Sequence, residues 1–126
     1  MSNADGEKAI VLVVEDDPDI RETIAQILEE EGYALLVAEN GQEALRRLEE
    51  GPRPRLILLD LMMPIMDGWE FREQQRRDPR YADIPVIIVS ADGNVRQKAT
   101  QLGADGHIRK PVGIDELLAV VQRYCA

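Results

Sequence analysis

The chain has 126 residues, of which 44% are hydrophobic and 31% are charged, and this length and balance fit one globular domain. The formal net charge of −9 disfavours contact with nucleic-acid phosphates, so we expect no direct nucleic-acid binding. Cys125 is the single cysteine, which excludes an internal disulfide and a cysteine-based zinc site and favours a cytoplasmic location. The sequence contains no apolar run long enough to cross a membrane.

The first residues are set apart from the predicted fold. The segment Ser2-Asn3-Ala4 resembles the remnant of a cleaved tag. We therefore expect residues 1–7 to be a tag remnant and a disordered N-terminus, and residues 8–126 to form the single domain.

Five apolar runs predict β-strands. Residues 10–14, 56–59 and 86–89 are apolar at consecutive positions, so both faces of these strands should be buried. Such runs are typical of a parallel sheet that is covered by helices on both sides. Two weaker strands are predicted at 34–38 and 106–109.

Helical patterns lie between the predicted strands, and most have recognisable ends. Asp17 supplies a cap that is followed by a proline, Asn40 supplies a second cap, and a third helix should begin near Asp67. The apolar positions of the fourth and fifth helices are Val95, Ala99, Leu102, Ile114, Leu117, Leu118 and Val121. The residues that end helices are Gly32, Gly51 and Gly103.

The order of elements, strand then helix repeated along the chain, predicts an α/β fold. Right-handed crossovers between the strands then give a doubly wound three-layer sandwich around a five-stranded parallel sheet. In such a fold, ligands bind beyond the carboxyl ends of the strands.

Reactive side chains follow four of the predicted strands at this edge. They are Glu15, Asp16 and Asp17 after the first strand, Asp60 after the third, Ser90 after the fourth and Lys110 after the fifth. Glu15, Asp16 and Asp60 would be three carboxylates in one cleft, which is costly unless a cation neutralises them. Oxygen ligands without histidine or cysteine select a hard cation such as Mg²⁺. With Asp60 as nucleophile and Lys110 and Ser90 facing phosphoryl oxygens, the predicted chemistry is phosphoryl transfer that forms an acyl phosphate.

Four ordered segments closely resemble the motifs of response-regulator receiver domains of two-component signalling. They are VVEDDP at 13–18, DLMMPIMDG at 60–68, VSA at 89–91 and RKP at 109–111. The resemblance covers nearly the whole chain and implies the flavodoxin-like receiver fold with strand order 2-1-3-4-5. It also implies a domain that is not an enzyme toward other substrates and promotes only its own phosphorylation and dephosphorylation.

The resemblance implies a role for each residue that matches a reactive position. Asp60 would be the phosphoacceptor, and Ser90 and Lys110 would contact the phosphoryl group. The donor would be a phosphohistidine on a sensor histidine kinase or a histidine phosphotransfer protein. Ser90 would then move toward the phosphoryl group and His107 would turn inward behind it, reshaping the surface of the fourth helix, fifth strand and fifth helix. A homodimer is compatible with the resemblance, and no membrane contact is expected.

The resemblance also implies the metal ligands and two tuning positions. Asp16 would bind Mg²⁺ directly and Glu15 would assist through water, while Asp60 and the backbone carbonyl of Met62 would complete the protein ligands. Asp92 and Met62 would border the path of the water that hydrolyses the acyl phosphate, and would therefore tune its lifetime.

Some residues depart from the pattern of the family. Glu15 stands where aspartate is more frequent, and His107 stands where tyrosine or phenylalanine is usual. Arg72 and Gln75 occupy positions of the third helix that are commonly apolar. These departures concern metal geometry, switching and the output surface rather than the reaction itself.

Each of these residues has a simpler structural explanation when it is taken alone. Asp17 and Asp67 fit helix caps, Ser90 fits a cap of the following helix, and Lys110 before a proline fits a surface lysine. The methionines beside the site fit the filling of irregular gaps rather than soft-metal ligation: Met62, Met63 and Met66. These explanations would have to hold at four strand ends at once, which favours a functional site.

Three other functions are weighed against the receiver. A phosphatase with an aspartyl nucleophile would carry a second aspartate where this chain has Met62. A flavodoxin-like binding module would need a loop rich in Ser, Thr and Gly where the acids follow the first strand. A pseudo-receiver that only scaffolds partners is disfavoured by the presence of Asp60, Ser90 and Lys110.

Overall fold

The computed structural model describes residues 8–125, in which five β-strands alternate with five α-helices. The strands are β1 Ile10–Val14, β2 Ala34–Ala38, β3 Leu56–Leu59, β4 Val86–Ser90 and β5 Gly106–Arg109. The helices are α1 Pro18–Glu30, α2 Gly41–Glu50, α3 Gly68–Arg77, α4 Val95–Gln101 and α5 Ile114–Cys125. None of these helices has the length and apolarity that a membrane span requires. The predicted tag remnant at 1–7 lies outside the described residues.

All neighbouring strands pair in parallel, in the order β2-β1-β3-β4-β5. This confirms the predicted doubly wound sandwich and the strand order of the receiver fold. The chain winds from β1 to one side and then returns to the other, so the order reverses between β1 and β3. A crevice for ligands is expected at that reversal, beyond the carboxyl ends of the strands.

The strands are apolar at consecutive positions because each face of the sheet carries its own helical layer. Leu12 and Val14 of β1 face one cluster, which also contains buried residues of α2, α3 and α4. Val11 and Val13 face the other cluster, which contains buried residues of α1 and α5. The middle strands are therefore excluded from water, and polar residues are confined to their ends.

The predicted helix caps at Asp17, Asn40 and Asp67 are confirmed. Each side chain accepts a hydrogen bond from a backbone N–H of the first helical turn, at 2.8 to 2.9 Å. Gly32 and Gly103 have φ angles of +94° and +63°, as expected of glycines that end α1 and α4. These caps fix where α1 and α3 begin, directly beside the carboxyl edge of the sheet.

The predicted apolar stripe of α5 is wrong at its first position. Leu117 and Val121 are buried, but Ile114 is 57% exposed. Ile114 is the first residue of the helix, and the buried positions begin with Leu117. Spacing along a helix predicts which face is apolar, whereas the packing of the helix decides which residues of that face are buried.

The polar residues of α3 form a buried hydrogen-bond network. Arg72 is 6% exposed and donates to the carbonyls of Leu102 and Gly103 at 3.1 and 2.7 Å, at the C-terminal end of α4. Arg72 also donates to the amide oxygen of Gln75 at 2.7 Å. The Gln75 amide nitrogen donates to two carbonyls of the segment that leads into β4. Polar side chains replace apolar ones here because they donate hydrogen bonds to carbonyls at the end of α4 and in the segment before β4.

Loss of the Arg72 guanidinium is expected to destabilise the domain. Arg72→Met should lower the free energy of unfolding by about 2–4 kcal/mol, because carbonyls of α4 and the Gln75 amide lose buried donors. Urea denaturation measures this change. Arg77→Met is the matched control on the same helix, since the Arg77 side chain is 74% exposed and pairs with an exposed glutamate. Arg77→Met should lower the free energy of unfolding by no more than about 0.5 kcal/mol. Equal losses for the two variants would contradict the role of Arg72.

Candidate functional site

The register of the sheet brings four strand ends to one edge. β1 and β3 end side by side, so Glu15 and Asp60, the next residue of each strand, are neighbours. The backbone N–H of Asp60 donates to the carbonyl of Val14 at 3.0 Å. β4 and β5 end at the same edge, where the backbone N–H of Lys110 donates to the carbonyl of Ser90 at 2.9 Å. The structure thus places the sequence-predicted residues around a single cleft.

Glu15, Asp16 and Asp60 form an acidic cluster in this cleft. One carboxylate oxygen from each residue lies within 4.8 Å of the other two. Glu15 and Asp60 are 2% and 5% exposed, whereas Asp16 is open to solvent. The cluster therefore has a buried floor made of two acids and an accessible rim made of the third.

The Lys110 side chain lies inside the cleft rather than on the surface. Its Nζ is 2.7 Å from Glu15 Oε1 and 3.7 Å from Asp60 Oδ2, and the side chain is only 14% exposed. The ammonium therefore bridges the two buried acids, with the shorter contact to Glu15. The explanation of Lys110 as a surface lysine is wrong.

The Asp60 carboxyl is strongly perturbed by these surroundings. The pKa of Asp60 is raised to about 7, first by burial and then by the charge of Glu15 and a hydrogen bond to the Glu15 carboxyl. The Lys110 ammonium and the backbone N–H of Met62 act in the opposite direction. One ammonium does not compensate two buried carboxylates, so the cleft favours additional positive charge.

The acidic cluster is supported by α1. Arg21 donates from its guanidinium to the backbone carbonyl of Glu15 at 2.9 Å, and the backbone N–H of Asp17 donates to the Glu15 carboxylate at 3.2 Å. Asp17 therefore both caps α1 and orients its neighbour. The sequence did not point to Arg21, because an arginine one turn into a helix carries no sign that it reaches back to the preceding loop.

Gly68 allows α3 to begin directly against Asp60. A Cβ at Gly68 would lie 2.3 Å from the carbonyl oxygen of Asp60 and 2.9 Å from the Cα of Leu61, distances that no side chain tolerates. The backbone N–H of Gly68 donates to the carbonyl of Leu61 at 3.0 Å. In the sequence Gly68 indicated only a turn, and the close approach became visible in the structure.

The loop from β3 to α3 alternates between buried and exposed side chains. Met62 and Ile65 are 73% and 77% exposed, whereas Met63 and Met66 pack against the core. The gap-filling explanation is therefore wrong for Met62, which is exposed although Leu61 before it is buried in the core. Ile65 has a φ of +70°, an uncommon and strained conformation for a β-branched residue.

Ser90, Asp92 and His107 lie on the β4–β5 side of the cleft. Ser90 is 3% exposed, and its Oγ accepts the backbone N–H of Asp92 at 3.2 Å. The N-cap of α4 is Asn94, so Ser90 does not cap that helix. His107 is half-buried in β5 and pairs in register with Ile88. Its turning inward stays a prediction.

The donor set of the acidic cluster fits a hard divalent cation. The convergent ligands are carboxylate oxygens, which Mg²⁺ prefers, and the exposed Asp16 leaves a path from solvent. Exposed acids often cluster without an ion. Here two of the acids are buried side by side, an arrangement that a bound cation would stabilise.

Comparison with known families agrees with this geometry. The model of the response regulator receiver domain family matches residues 11–122. The chain belongs to the response regulator receiver domain family. An uncharacterized 14.6 kDa protein of Leptolyngbya boryana is 40% identical over 117 residues, which cover 91% of this receiver and 88% of that protein. The phosphate regulon transcriptional regulatory protein PhoB of Escherichia coli is 39% identical over 114 residues, and this receiver spans 49% of its length.

A solved structure supports the same conclusion about the fold. The receiver domain of the sensor histidine kinase PA1611 from Pseudomonas aeruginosa superposes with a TM-score of 0.85 at 28% identity, covering 94% of this chain and 98% of that chain. That crystal structure has a magnesium ion coordinated in its active-site cleft. The acidic cluster of this receiver is consistent with the same ion.

The raised pKa of Asp60 predicts a pH-dependent cost in the metal-free receiver. The native state holds the Asp60 proton up to about pH 7, whereas the unfolded state releases it at about pH 4. Between these values the native state binds more protons than the unfolded state. This residue therefore makes the free energy of unfolding fall as the pH rises from about 4 to 7.

Asp60→Asn removes this contribution because the amide is uncharged at every pH. With EDTA present, the variant should be more stable than the wild type by roughly 2–4 kcal/mol at pH 8, and the difference should shrink toward pH 5. Urea denaturation across this pH range measures the difference. Saturating Mg²⁺ should reduce the difference in free energy of unfolding between the two proteins, because it stabilises the wild type. A difference that does not change with pH would contradict the prediction.

Proposed function

We propose that this receiver takes a phosphoryl group onto Asp60 from a phosphohistidine on a sensor histidine kinase or a histidine phosphotransfer protein. The observation that carries the proposal is the position of Asp60. It is buried beside a second acid, with the Lys110 ammonium 3.7 Å away, at the edge where the strand order reverses. Buried ionisable groups with a perturbed pKa cluster at reaction centres, which supports this proposal.

The proposed reaction uses Asp60 as a nucleophile. A carboxylate oxygen of Asp60 attacks phosphorus, the bond from phosphorus to the donor imidazole nitrogen breaks, and its electron pair returns to the imidazole. Lys110 and Ser90 each donate to an oxygen of the transferred group. In the resting receiver the Lys110 ammonium contacts Glu15 at 2.7 Å, so it is already inside the cleft when that group arrives. The protein thus contributes positioning and charge neutralisation.

The metal site proposed for the receiver is the acidic cluster. Glu15, Asp16 and Asp60 would hold Mg²⁺, together with the backbone carbonyl of Met62. When bound, Mg²⁺ supplies positive charge that neutralises the carboxylates and the oxygens of the phosphoryl group. Arg21 holds the backbone of Glu15 through its carbonyl, which keeps the cluster assembled.

The proposed output is a change in the surface of α4, β5 and α5. Ser90 moves toward the phosphorylated Asp60, and His107 follows it from the neighbouring strand. Ser90 is bonded to the backbone of Asp92, so its movement is passed to the loop that leads into α4. We propose no activity toward other substrates: the domain promotes only its own phosphorylation and dephosphorylation, with Asp92 and Met62 tuning the second step.

Phosphorylation of Asp60 is tested with a small-molecule donor. Acetyl phosphate and Mg²⁺ should add one phosphoryl group to the wild type, and Asp60→Asn should take none, as measured by intact-mass spectrometry. Asp19→Asn is the matched control, because Asp19 is an exposed acid in the first turn of α1 near the same edge. It should be labelled like the wild type. Absence of an adduct on the wild type, or equal labelling of Asp60→Asn, would overturn the proposed function.

Magnesium binding is tested by thermal stability without any phosphoryl donor. Mg²⁺ at ten times its dissociation constant should stabilise the wild type by about 1.4 kcal/mol and raise its Tm. Asp16→Asn should reduce this rise, because it removes the exposed carboxylate of the cluster. Glu49→Gln changes the charge equally at the far end of α2 and should keep the full rise. Equal Tm shifts in all three proteins would argue against the site.

A further inference from the structure

An ion pair ties the loop after β4 to helix α4. The Lys98 ammonium is bonded to Asp92 Oδ2, and Asp92 Oδ1 accepts the backbone N–H of Asn94 at 2.7 Å. Both carboxylate oxygens of Asp92 are therefore engaged by donors of α4 and its N-terminal turn. No local pattern indicates this pair, because Lys98 lies six residues from Asp92 and the packing of α4 decides whether the two side chains meet.

The same loop residue is bonded to the reaction side of the cleft. The backbone N–H of Asp92 donates to the Oγ of the buried Ser90 at 3.2 Å. Asp92 thus lies between Ser90 and α4. The side chains of Lys98 and Asp92 are 30% and 35% exposed, so water reaches both groups. The hydrogen bond from Lys98 also lowers the pKa of Asp92, so this carboxylate stays ionised.

We propose that Lys98 is a positioning residue that holds the Asp92 carboxylate toward α4 and thereby prolongs the life of the phosphorylated Asp60. The inference rests on the function proposed above and names a side chain that regulates its second step. Lys98 acts through Asp92 and does not contact the reacting atoms.

The chemistry of hydrolysis gives the direction of the effect. A water oxygen bonds to phosphorus, the bond from phosphorus to the Asp60 oxygen breaks, and its electron pair returns to the Asp60 carboxylate. The water gives up a proton to a nearby base or to the departing phosphate. A carboxylate at the rim of the cleft that is free to accept that proton assists the attack. Asp92 is less available for this while Lys98 and Asn94 donate to its two oxygens.

The size of the effect follows from the exposure of the pair. A partly exposed ion pair is weak and is screened by salt, so its loss releases the carboxylate without disturbing the fold. We expect Lys98→Met to speed the loss of the phosphoryl group by about two- to five-fold. Lys98→Arg keeps a donor near Asp92 and should restore most of the wild-type lifetime.

The experiment follows dephosphorylation directly. Each protein is phosphorylated with acetyl phosphate and Mg²⁺, the donor is removed, and intact-mass spectrometry follows the decay of the adduct. Arg96→Met is the matched control: it removes one positive charge from the same helix at an exposed position that lies outside the ion pairs of residues 8–125. Its lifetime should equal that of the wild type.

A double-mutant cycle separates positioning from a general effect on α4. In an Asp92→Ala background, Lys98→Met should leave the lifetime unchanged, because the carboxylate it releases is gone. A lifetime unaffected or lengthened by Lys98→Met overturns the inference, as does equal acceleration in the Asp92→Ala background. A wild type that takes no phosphoryl group overturns the proposed function and this inference together. Phosphorylation with a lifetime independent of Lys98 overturns the inference alone.

Discussion

Glu15 and Asp60 are buried beside each other at the carboxyl edge of the sheet, and the ammonium of Lys110 lies between them. Two desolvated carboxylates repel each other, and one cation compensates them only in part, as the raised pKa of Asp60 shows. The rest of the domain has to keep the two carboxylates together although they repel each other. It does so with a sheet whose interior is apolar on both faces, so that the strands cannot shift to separate the charges.

The local supports of the cleft come from helices that begin at its edge. α3 starts against Asp60 because Gly68 leaves room for the backbone of the strand end. α1 starts beside Glu15 and returns the Arg21 guanidinium to the Glu15 carbonyl. One support is the Arg21 side chain and the other is the close approach of Gly68, so the positions of the acids depend on how α1 and α3 begin as much as on the sheet. The rim of the acidic cluster at Asp16 remains open to solvent, so a cation can enter the cleft there.

Helix α4 is connected to the site at both of its ends. Before its start, Asp92 is bonded to the Lys98 ammonium of the helix, and the Asp92 backbone N–H donates to Ser90. At its C-terminal end, Arg72 of α3 donates to the last carbonyls, and α3 itself begins at Asp60. The cleft is therefore connected to α4 through two sets of contacts. The first set consists of hydrogen bonds, whereas the second combines the hydrogen bonds of Arg72 with the close approach of Gly68 to Asp60, so each can be tested by one substitution.

The sequence by itself determined the elements of this receiver and its candidate reactive residues. Strand interiors, caps and glycine stops are local, because they depend on side chains within a few positions of one another. Asp60, Ser90 and Lys110 could be selected for the same reason, since each directly follows or ends an apolar strand and parallel strands end at one edge. Four interpretations drawn from local patterns were wrong: Met62 and Ile114 are exposed, Lys110 lies inside the cleft and Ser90 does not cap α4. Burial and contacts depend on what lies opposite.

The tertiary structure alone decided which side chains meet across the fold. The pairing of Lys110 with Glu15 at the shorter distance, the network of Arg72 and the link from Lys98 to Asp92 all join separate elements. Their formation depends on the angle and depth at which helices pack on the sheet, quantities that no spacing along the chain encodes. A charged residue on a helix gives the same local pattern whether it faces water or a buried carbonyl, and only the packed neighbours distinguish the two.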